Sequence, residues 1–326
     1  MKTLFALSAA LSAMAALAAS GAVLAQAYPV KPVRLVVPFP GGGAMDTVAR
    51  SMGARLGEAL GQQVVVDNRS GAGGVIGAEV VAKSAPDGYT LVLTGGPPHI
   101  AYPFLMKSVP FDTVKDFTPI VNIGVGPQAL VVHPSLGVGT LAELIAHARR
   151  NPGRVSYATP GVGTAAHLGG MLFARDAGLD MLHVGYKGGA PALNDLLGGQ
   201  VPTAILVLST VMPHVRSGKL RLLAVLDSQR ARQAPDTPTL AEAGVPGFNG
   251  PELWIGVLGP AGMAPSLVAQ INAAINKAIV QPELAARLEA AGFEVKGSTP
   301  QAFADYIARA YENYRRITAE LGIKPE

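Results

Sequence analysis

The chain has 326 residues, of which 49% are hydrophobic and 15% charged; its formal net charge is +4 and it contains no cysteine. This composition excludes an intrinsically disordered protein and a disulfide-built scaffold, and no run of Lys or Arg forms the basic stripe typical of nucleic-acid binding. At roughly 150 residues per domain, the length predicts two domains.

The first 27 residues have the pattern of an export signal. Lys2 precedes the apolar run 4–19, and Ala25-Gln26-Ala27 fits a small-residue cleavage site. A membrane anchor is the weaker interpretation, because the run contains serines and is short for a spanning helix. We therefore expect cleavage before Tyr28 and a periplasmic location. Export also disfavours functions that need a steady supply of ATP or NAD(P)H.

Residues 33–93 alternate between strand and helix patterns. The apolar run 33–39 predicts a buried strand, the apolar spacing over 45–60 predicts a helix, and 63–67 predicts a second strand. A helix over 75–84 and a strand over 90–93 follow. This alternation predicts a parallel sheet with helices on both faces.

A second unit repeats this plan. Thr140 and Glu143 fit a capping box that opens a helix over 140–150. The following strands are predicted at 155–158, 183–186 and 203–208, with helices at 164–175 and 189–197. After a connection over 228–250, we expect a strand at 254–258 and helices at 264–280, 282–291 and 300–321. The extended stretches 120–133 and 220–227 are the candidate crossings between the units, and two antiparallel crossings would form a hinge.

The first unit has a glycine loop, Gly41-Gly42-Gly43, between a strand and a helix. Glycines expose the backbone, and a helix start offers unpaired N–H groups and a positive dipole end, so this loop is a candidate carboxylate site. Asp46 in the first helical turn fits either a dipole partner or a contact to a ligand hydroxyl or amine. If Asp46 lines the site, its carboxylate must point away from a bound anion.

The second unit has the corresponding loop Gly161-Val162-Gly163. Thr164 is the predicted N-cap, and the hydroxyls of Thr159 and Thr164 could donate to a carboxylate. The helix dipole is expected to keep His167 neutral, and we favour a structural hydrogen bond between loops over a direct ligand contact. In the third polar element, Lys187 could pair with a carboxylate or be solvated, and Tyr186 could supply a hydroxyl or a flat wall.

Enzyme motifs are missing from the sequence. There is no G-x-S-x-G, H-E-x-x-H or phosphate-loop pattern, and the histidines lack metal-ligand spacing. Gly161-x-Gly163-x-x-Ala166, with Asp180 downstream, fits a Rossmann-like pattern, but export argues against a dinucleotide. Two alternatives stay open: a secreted hydrolase-like enzyme that uses His167 or Lys187, and a dinucleotide-binding oxidoreductase.

Seven segments, in order, resemble the substrate-binding proteins of tripartite tricarboxylate transporters, the Bug family. They are Pro38–Arg50, Asp67–Ala78, Pro86–Leu91, Phe111–Ile120, Tyr157–Leu168, Tyr186–Gln200 and Trp254–Gly262. The resemblance covers essentially all of the chain after the export signal. The family's two binding loops correspond here to Phe39–Asp46 and Thr159–His167. Met45 departs from the family pattern, in which a small polar residue is common.

The resemblance implies an α/β, type II-like, two-domain periplasmic binding protein, each domain a mostly parallel sheet flanked by helices, joined by a two-strand hinge. We place residues 28–125 and 226–326 in the first domain and 126–225 in the second. The ligand-binding candidates are Phe39, Pro40, Gly41, Gly42, Gly43, Ala44, Met45, Asp46, Thr94, Thr159, Gly161, Gly163, Thr164, His167, Tyr186 and Lys187.

The resemblance further implies a solute receptor without catalytic residues, cofactor or metal. Its ligand would be a small carboxylate: a di- or tricarboxylate, an amino-acid-like carboxylate or an aromatic one. Its partners would be the membrane subunits of a tripartite transporter or a sensor kinase. We expect no nucleic-acid partner and no stable membrane insertion after signal cleavage.

Overall fold

The computed structural model describes residues 28–42 and 44–325, except for the side chains of Ala44, Pro97 and Pro98. The predicted export signal 1–27 and the candidate residue Gly43 lie outside the described residues. Within the described part, no helix is both long enough and apolar enough to cross a membrane.

The strands form two sheets. Within the described residues, the first sheet has six strands, in the order β11 (Glu294–Val295), β4 (Phe117–Val125), β10 (Trp254–Pro260), β3 (Thr90–Gly95), β1 (Val33–Val37) and β2 (Val64–Asn68). The second has five, in the order β7 (Met181–Gly185), β6 (Val155–Thr159), β8 (Thr203–Val207), β5 (Gln128–Val132) and β9 (Arg221–Val225). We call the elements that carry the first sheet the first lobe and those that carry the second sheet the second lobe. The α/β fold class is confirmed.

The first lobe is built from two separate parts of the chain. Its elements are β1 (Val33–Val37), α1 (Ala44–Leu60), β2 (Val64–Asn68), α2 (Val75–Ala82), β3 (Thr90–Gly95), α3 (Tyr102–Leu105), β4 (Phe117–Val125), β10 (Trp254–Pro260), α8 (Pro265–Ile279), α9 (Pro282–Ala290), β11 (Glu294–Val295) and α10 (Pro300–Glu320). The strand–helix–strand alternation that the sequence predicts over 33–93 is confirmed.

The second lobe is continuous in sequence. Its elements are β5 (Gln128–Val132), α4 (Leu141–Arg150), β6 (Val155–Thr159), α5 (Ala165–Asp176), β7 (Met181–Gly185), α6 (Gly189–Leu197), β8 (Thr203–Val207), α7 (Leu208–Arg216) and β9 (Arg221–Val225). Thr140 caps α4, because its hydroxyl accepts the Glu143 N–H at 3.2 Å. The Glu143 carboxylate, however, accepts from the N–H of Gly139 at 2.6 Å rather than from that of Thr140.

Both sheets are mixed rather than mostly parallel. Strand β1 is parallel to β2 and β3, and β6 is parallel to β7 and β8. Strand β10 is antiparallel to β3 and β4, and β5 is antiparallel to β8 and β9. The reason is topological. Strands β5 and β10 are the first strands after each crossing between sheets, so they start at the edge where the neighbouring parallel strands end.

The predicted crossing 120–133 is not one extended stretch. It is two strands, β4 in the first sheet and β5 in the second, separated by Gly126 and Pro127. The return path is the segment 226–253 between β9 and β10, which contains no helix or strand, as the proline- and glycine-rich composition of 228–250 predicts. The two paths are joined by main-chain hydrogen bonds from Gly126 N–H to Leu253 and from Leu226 N–H to Gln128.

Among the residues that the structure describes, the hydrophobic core has three clusters. One lies within the first lobe between its sheet and α1, α8 and α9, and one lies within the second lobe. The third contains residues of both lobes, among them Val36 and Trp254 of the first and Leu168 and Phe173 of the second. The lobes therefore share packed apolar surface on one side of the molecule.

Candidate ligand-binding cleft

The first glycine loop is held by the carboxylate of Asp46. Asp46 Oδ2 accepts the Gly42 N–H at 2.8 Å and the Arg50 Nε–H at 3.0 Å. The residue is only 4% exposed, and the Arg50 guanidinium and the Gly42 N–H keep the pKa of its carboxyl below the usual value. Asp46 is thus ionised and has a structural role, and Oδ2 points at its own loop.

Arg50 and Asn68, which were not among the predicted site residues, complete this network. Asn68, at the end of β2, donates to the Phe39 carbonyl at 3.1 Å and accepts from Arg50 at 3.2 Å. Position 42 favours glycine because its φ of +81° is a conformation that other residues rarely adopt. There is no steric reason for glycine here, since a Cβ would meet no atom within 4 Å. The N–H of Gly42 and the carbonyl of Phe39 are thus fixed by side chains of the first lobe, and the space next to Gly42 is open. Phe39 and Met45 are half-buried against the first-lobe core, whereas Pro40 is exposed.

The hydroxyls of the second loop are used within the loop itself. Thr164 Oγ1 donates to the Gly161 carbonyl at 2.7 Å and accepts the His167 N–H at 3.2 Å. Thr159 Oγ1 lies 2.7 Å from His183 Nε2. Each of these hydroxyls already has a protein partner, and their donation to a carboxylate stays a prediction. The prediction of Thr164 as N-cap is confirmed.

His167 is neutral at neutral pH, as predicted, but the cause differs from the predicted one. Burial and the neighbouring His183 lower its pKa to about 4, and the two rings lie 4.1 Å apart. His167 Nδ1 accepts the Gly163 N–H at 3.2 Å, so its structural bond lies within the second loop. In the sequence, nothing marks His183 except its position in a predicted strand.

The third polar element is attached to the second loop. The N–H groups of Tyr186 and Gly188 donate to the carbonyls of Thr159 and Pro160. The Tyr186 hydroxyl donates to Asp195 at 2.7 Å, whereas Lys187 is exposed. Thr94, the remaining candidate, is fully buried on β3 and has no surface open to a ligand in this conformation.

The starts of α5 and α6 leave four main-chain donors free. The N–H groups of Ala165 and Ala166, and those of Gly189 and Ala190, donate to no group in the described part of the chain. The first N–H groups of any helix lack an intrahelical acceptor, and here two such helix ends lie side by side because their loops are hydrogen-bonded to each other. This is a positively polarised surface built from backbone.

These helix starts border a cavity of about 500 Å³ between the lobes. From the second lobe, the cavity is lined by the starts of α5, α6 and α7 and by Pro160 and Leu193. From the first lobe, it is lined by Leu253 at the return crossing and by Ala290 and Ala291 at the end of α9. The cavity therefore lies where both lobes can contact one small molecule.

The second loop also meets the first lobe directly. A Cβ on Gly163 would lie 3.2 Å from Leu105 and 3.7 Å from the Tyr102 ring, and a Cβ on Gly73 would overlap the same ring. Tyr102 is thus wedged between the loop before α2 and the second glycine loop. No atom of the second loop comes within 4 Å of a Cβ built on Gly41 or Gly42 of the first loop.

Comparison with known proteins gives a consistent result over nearly the whole chain. The sequence model described as TctC, tripartite tricarboxylate transporter family receptor, matches residues 48–323. Protein BugT of Bordetella pertussis is 39% identical over 303 residues, which is 93% of this chain and 93% of BugT.

Two solved structures with bound carboxylates have the same fold. R. palustris Rpa4515 with adipate is 35% identical with a TM-score of 0.77, and the match covers 92% of this chain and 100% of that one. MatC (Rpa3494) from Rhodopseudomonas palustris with bound malate is 31% identical with a TM-score of 0.72, over 89% of this chain and 99% of that one.

Proposed function

This chain belongs to the tripartite tricarboxylate transporter receptor family, and from that premise we propose that it captures a small carboxylate between its two lobes and presents it to a membrane partner. The family consists of periplasmic solute-binding receptors rather than enzymes, which overturns the hydrolase and oxidoreductase alternatives.

The observation that carries the proposal is the set of four free main-chain N–H groups at the starts of α5 and α6, beside a cavity between the lobes. A carboxylate oxygen can accept from such donors while the helix dipoles stabilise its charge. Each contact contributes about 0.3–1 kcal/mol when exposed and more when desolvated. Micromolar affinity requires about 8 kcal/mol, so several contacts must act together.

The related structures support the choice of a carboxylate. Rpa4515 holds adipate and MatC holds malate, and this chain has the same fold. A ligand that contacts both lobes favours the arrangement in which they are close, by its differential affinity for the closed state. We propose residues 28–125 with 226–326 and residues 126–225 as the moving bodies, which meet at the crossings near 126–127 and 226–253.

The cellular role follows from the family. We propose export with cleavage before Tyr28, and delivery of the ligand to the membrane subunits of a tripartite transporter. A sensor kinase is the alternative receiver of the closed form. Pull-down of membrane subunits with and without ligand distinguishes delivery to a permease from signalling.

A charge-placement experiment tests the site. Gly189 is the first residue of α6, its φ lies outside the left-handed region, and a Cβ there meets no atom within 4 Å. We expect Gly189→Asp to fold normally, since an acidic residue at a helix start is favourable, but to repel a bound carboxylate. Its affinity should fall by at least about tenfold, or about 1.4 kcal/mol.

The matched control is Gly189→Asn, which has the same shape without the charge. Binding is measured by calorimetry and by the ligand-induced rise in melting temperature, with adipate, malate and benzoate as probes. Equal affinity of the Asp and Asn variants would show that the carboxylate does not bind at the start of α6. A wild-type protein whose melting temperature responds to none of these carboxylates would contradict the proposed function.

A further inference from the structure

A second cavity, of about 610 Å³, lies beside the crossings between the lobes. It is bordered by β4 and β11, by one side of α10 and by residues 227–232 of the return path. It shares no lining residue with the cavity at the starts of α5 and α6: Pro127 and Glu252 border the second cavity, whereas their chain neighbours Gln128 and Leu253 border the first. The crossings therefore separate two distinct cavities.

Two buried oxygen atoms at the second cavity have no hydrogen-bond partner among the described residues. Glu294 is 8% exposed and Asn122 is 7% exposed, and neither Glu294 Oε1 nor Asn122 Oδ1 accepts a hydrogen bond. Strand β4 has a bulge here, because β10 pairs Ile255 with Gly124 and Gly256 with Asn122, and a bulge redirects side chains. Burial of a polar atom without a partner is unfavourable. These oxygens therefore favour a ligand that donates hydrogen bonds.

Three carboxylates border the second cavity, and within the described part of the chain none of them forms an ion pair. Glu294 is one of them. The other two have neutral donors: Asp227 accepts the Gln128 N–H at 2.9 Å, and Glu252 accepts from the Ser228 hydroxyl at 3.4 Å. Burial and the charges of Glu252 and Glu294 raise the pKa of Asp227, which shows that the three groups interact. This wall favours a cation.

The rim of the second cavity carries the opposite charge. Arg232, Lys296 and Arg309 are exposed and form no ion pair with any described residue, whereas Arg230 pairs with Glu242 at 2.8 Å. Free cations and free carboxylates thus border one space without contacting each other. A ligand that carries both charges can bridge them.

We infer that the second cavity is a separate ligand site for a small zwitterion, whose ammonium group binds at Glu294 and Asn122 and whose carboxylate lies toward Lys296 and Arg309. An ammonium group has three donors and no acceptor, so it matches both buried oxygens, and its hydrogen bonds to a carboxylate are charge-assisted. A volume of about 610 Å³ lies within the range of small-molecule sites. The inference does not depend on the proposed function, because it concerns a different cavity.

The two ends of the ligand contribute unequally. Ion pairs at an exposed rim are screened by solvent and contribute little, whereas the ammonium end contacts groups that are largely removed from water. A simple amine therefore keeps most of the affinity, and a simple carboxylate, which would meet three acids, loses most of it.

Titration with ω-amino acids tests the site. The series from 3-aminopropanoate to 6-aminohexanoate is measured by calorimetry on the wild-type mature chain and on Gly189→Asp, in which the proposed carboxylate site at α6 is blocked. Pentylamine and pentanoate are the matched ligands with one charge each. We expect at least one ω-amino acid to bind both proteins equally well, at least threefold more tightly than pentylamine and at least tenfold more tightly than pentanoate.

Charge-removing variants test the two ends. Glu294→Gln keeps the size of the side chain, and we expect a loss of at least tenfold in ω-amino acid affinity. Glu289→Gln is the matched control, since Glu289 is exposed on α9 and borders neither cavity; its affinity should equal that of wild type. The double variant Lys296→Gln with Arg309→Gln should bind the ω-amino acid no more tightly than pentylamine.

The outcomes separate this inference from the proposed function. Binding that is lost in Gly189→Asp would place the ω-amino acid in the first cavity and overturn the inference. The same result follows if no member of the series binds the wild-type chain, if pentylamine binds as tightly as the ω-amino acid, or if Glu294→Gln and Glu289→Gln behave alike. A loss confined to Glu294→Gln, with the preference for the zwitterion, supports the second site. Binding of adipate, malate or benzoate tests the proposed function independently.

Discussion

His99 is a fully buried histidine whose two ring nitrogens accept and donate no hydrogen bond within the described residues. Its ring lies 4.7 Å from that of Phe117 and 6.1 Å from that of Trp254. Burial lowers the pKa of His99 to about 3, so the folded protein keeps this imidazole neutral where the unfolded chain would protonate it.

Replacing His99 is expected to reduce the acid sensitivity of the fold. Below pH 6.5 the unfolded chain binds a proton that the folded protein does not, so wild-type stability falls as pH decreases toward about 3. His99→Leu removes this linkage. The stability of the variant relative to wild type should rise by up to about 1.4 kcal/mol per pH unit on acidification.

Urea unfolding between pH 7 and pH 4.5 measures this difference. At pH 7 itself, removal of unpartnered polar atoms from the core should leave stability unchanged or raise it by about 1 kcal/mol. Parallel pH profiles for the two proteins would mean that His99 is hydrated or bonded in solution.

At the scale of an element, Thr164 is the N-cap of helix α5 and contributes to the stability of that helix. Its hydroxyl holds both the first turn of α5 and the Gly161 carbonyl. We expect Thr164→Ala to lower the free energy of unfolding by about 1 kcal/mol and to weaken carboxylate binding, because the free N–H groups of α5 lose their fixed direction. Thermal unfolding and calorimetry measure the two effects.

Thr164→Ser is the matched control, since serine keeps the hydroxyl and caps at least as well. Ligand affinity that is unchanged in Thr164→Ala would show that α5 does not contribute to the site.

Most elements could be predicted from hydrophobic spacing because local pattern determines them. The helix of 45–60 and the cap at Thr140 are examples. The direction of β5 and β10 could not be predicted this way, because it depends on which edge of a sheet the chain reaches after crossing. The break at Gly126 and Pro127 does carry a turn signal, because Gly-Pro commonly interrupts a strand, but the buried apolar residues on both sides favoured a single extended stretch over 120–133.

The candidate site was predictable only in part, and for a related reason. Glycines before a helix predicted the starts of α1 and α5 as donors, whereas the free donors beside the cavity lie at the starts of α5 and α6. No sequence pattern indicates that Ala290 and Leu253 form the facing wall. The predicted roles of Asp46 and Thr159 changed because their partners, Arg50 and His183, lie elsewhere in sequence. The sequence shows which side chains can donate or accept hydrogen bonds. It does not show which of them already bond to a protein partner.

At the scale of the whole molecule, the protonation of Asp227, which lies at the return crossing between the lobes, makes folding stability depend on pH. Asp227 follows β9, and its Oδ2 accepts the Gln128 N–H at 2.9 Å. Burial and the charges of Glu252 and Glu294 raise the pKa of Asp227 to about 7. The folded protein thus retains a proton up to neutral pH that the unfolded chain releases near pH 3.8, so stability falls as pH rises between these values.

Asp227→Asn mimics the protonated acid and keeps an acceptor for Gln128. We expect the variant to gain stability relative to wild type by about 1–2 kcal/mol as pH rises from 5 to 8, a value below the full pKa shift because the side chain is partly exposed. Chemical unfolding at both pH values measures this gain. A constant difference between the proteins would contradict a raised Asp227 pKa.

The free N–H groups at the starts of α5 and α6 belong to Ala165, Ala166, Gly189 and Ala190, whose side chains are at most a methyl group. Truncation to alanine cannot remove such donors, so a conventional alanine scan of this region does not test the proposed anion contacts. Backbone-directed chemistry, such as amide-to-ester replacement at these four positions, is the appropriate way to map recognition in this protein.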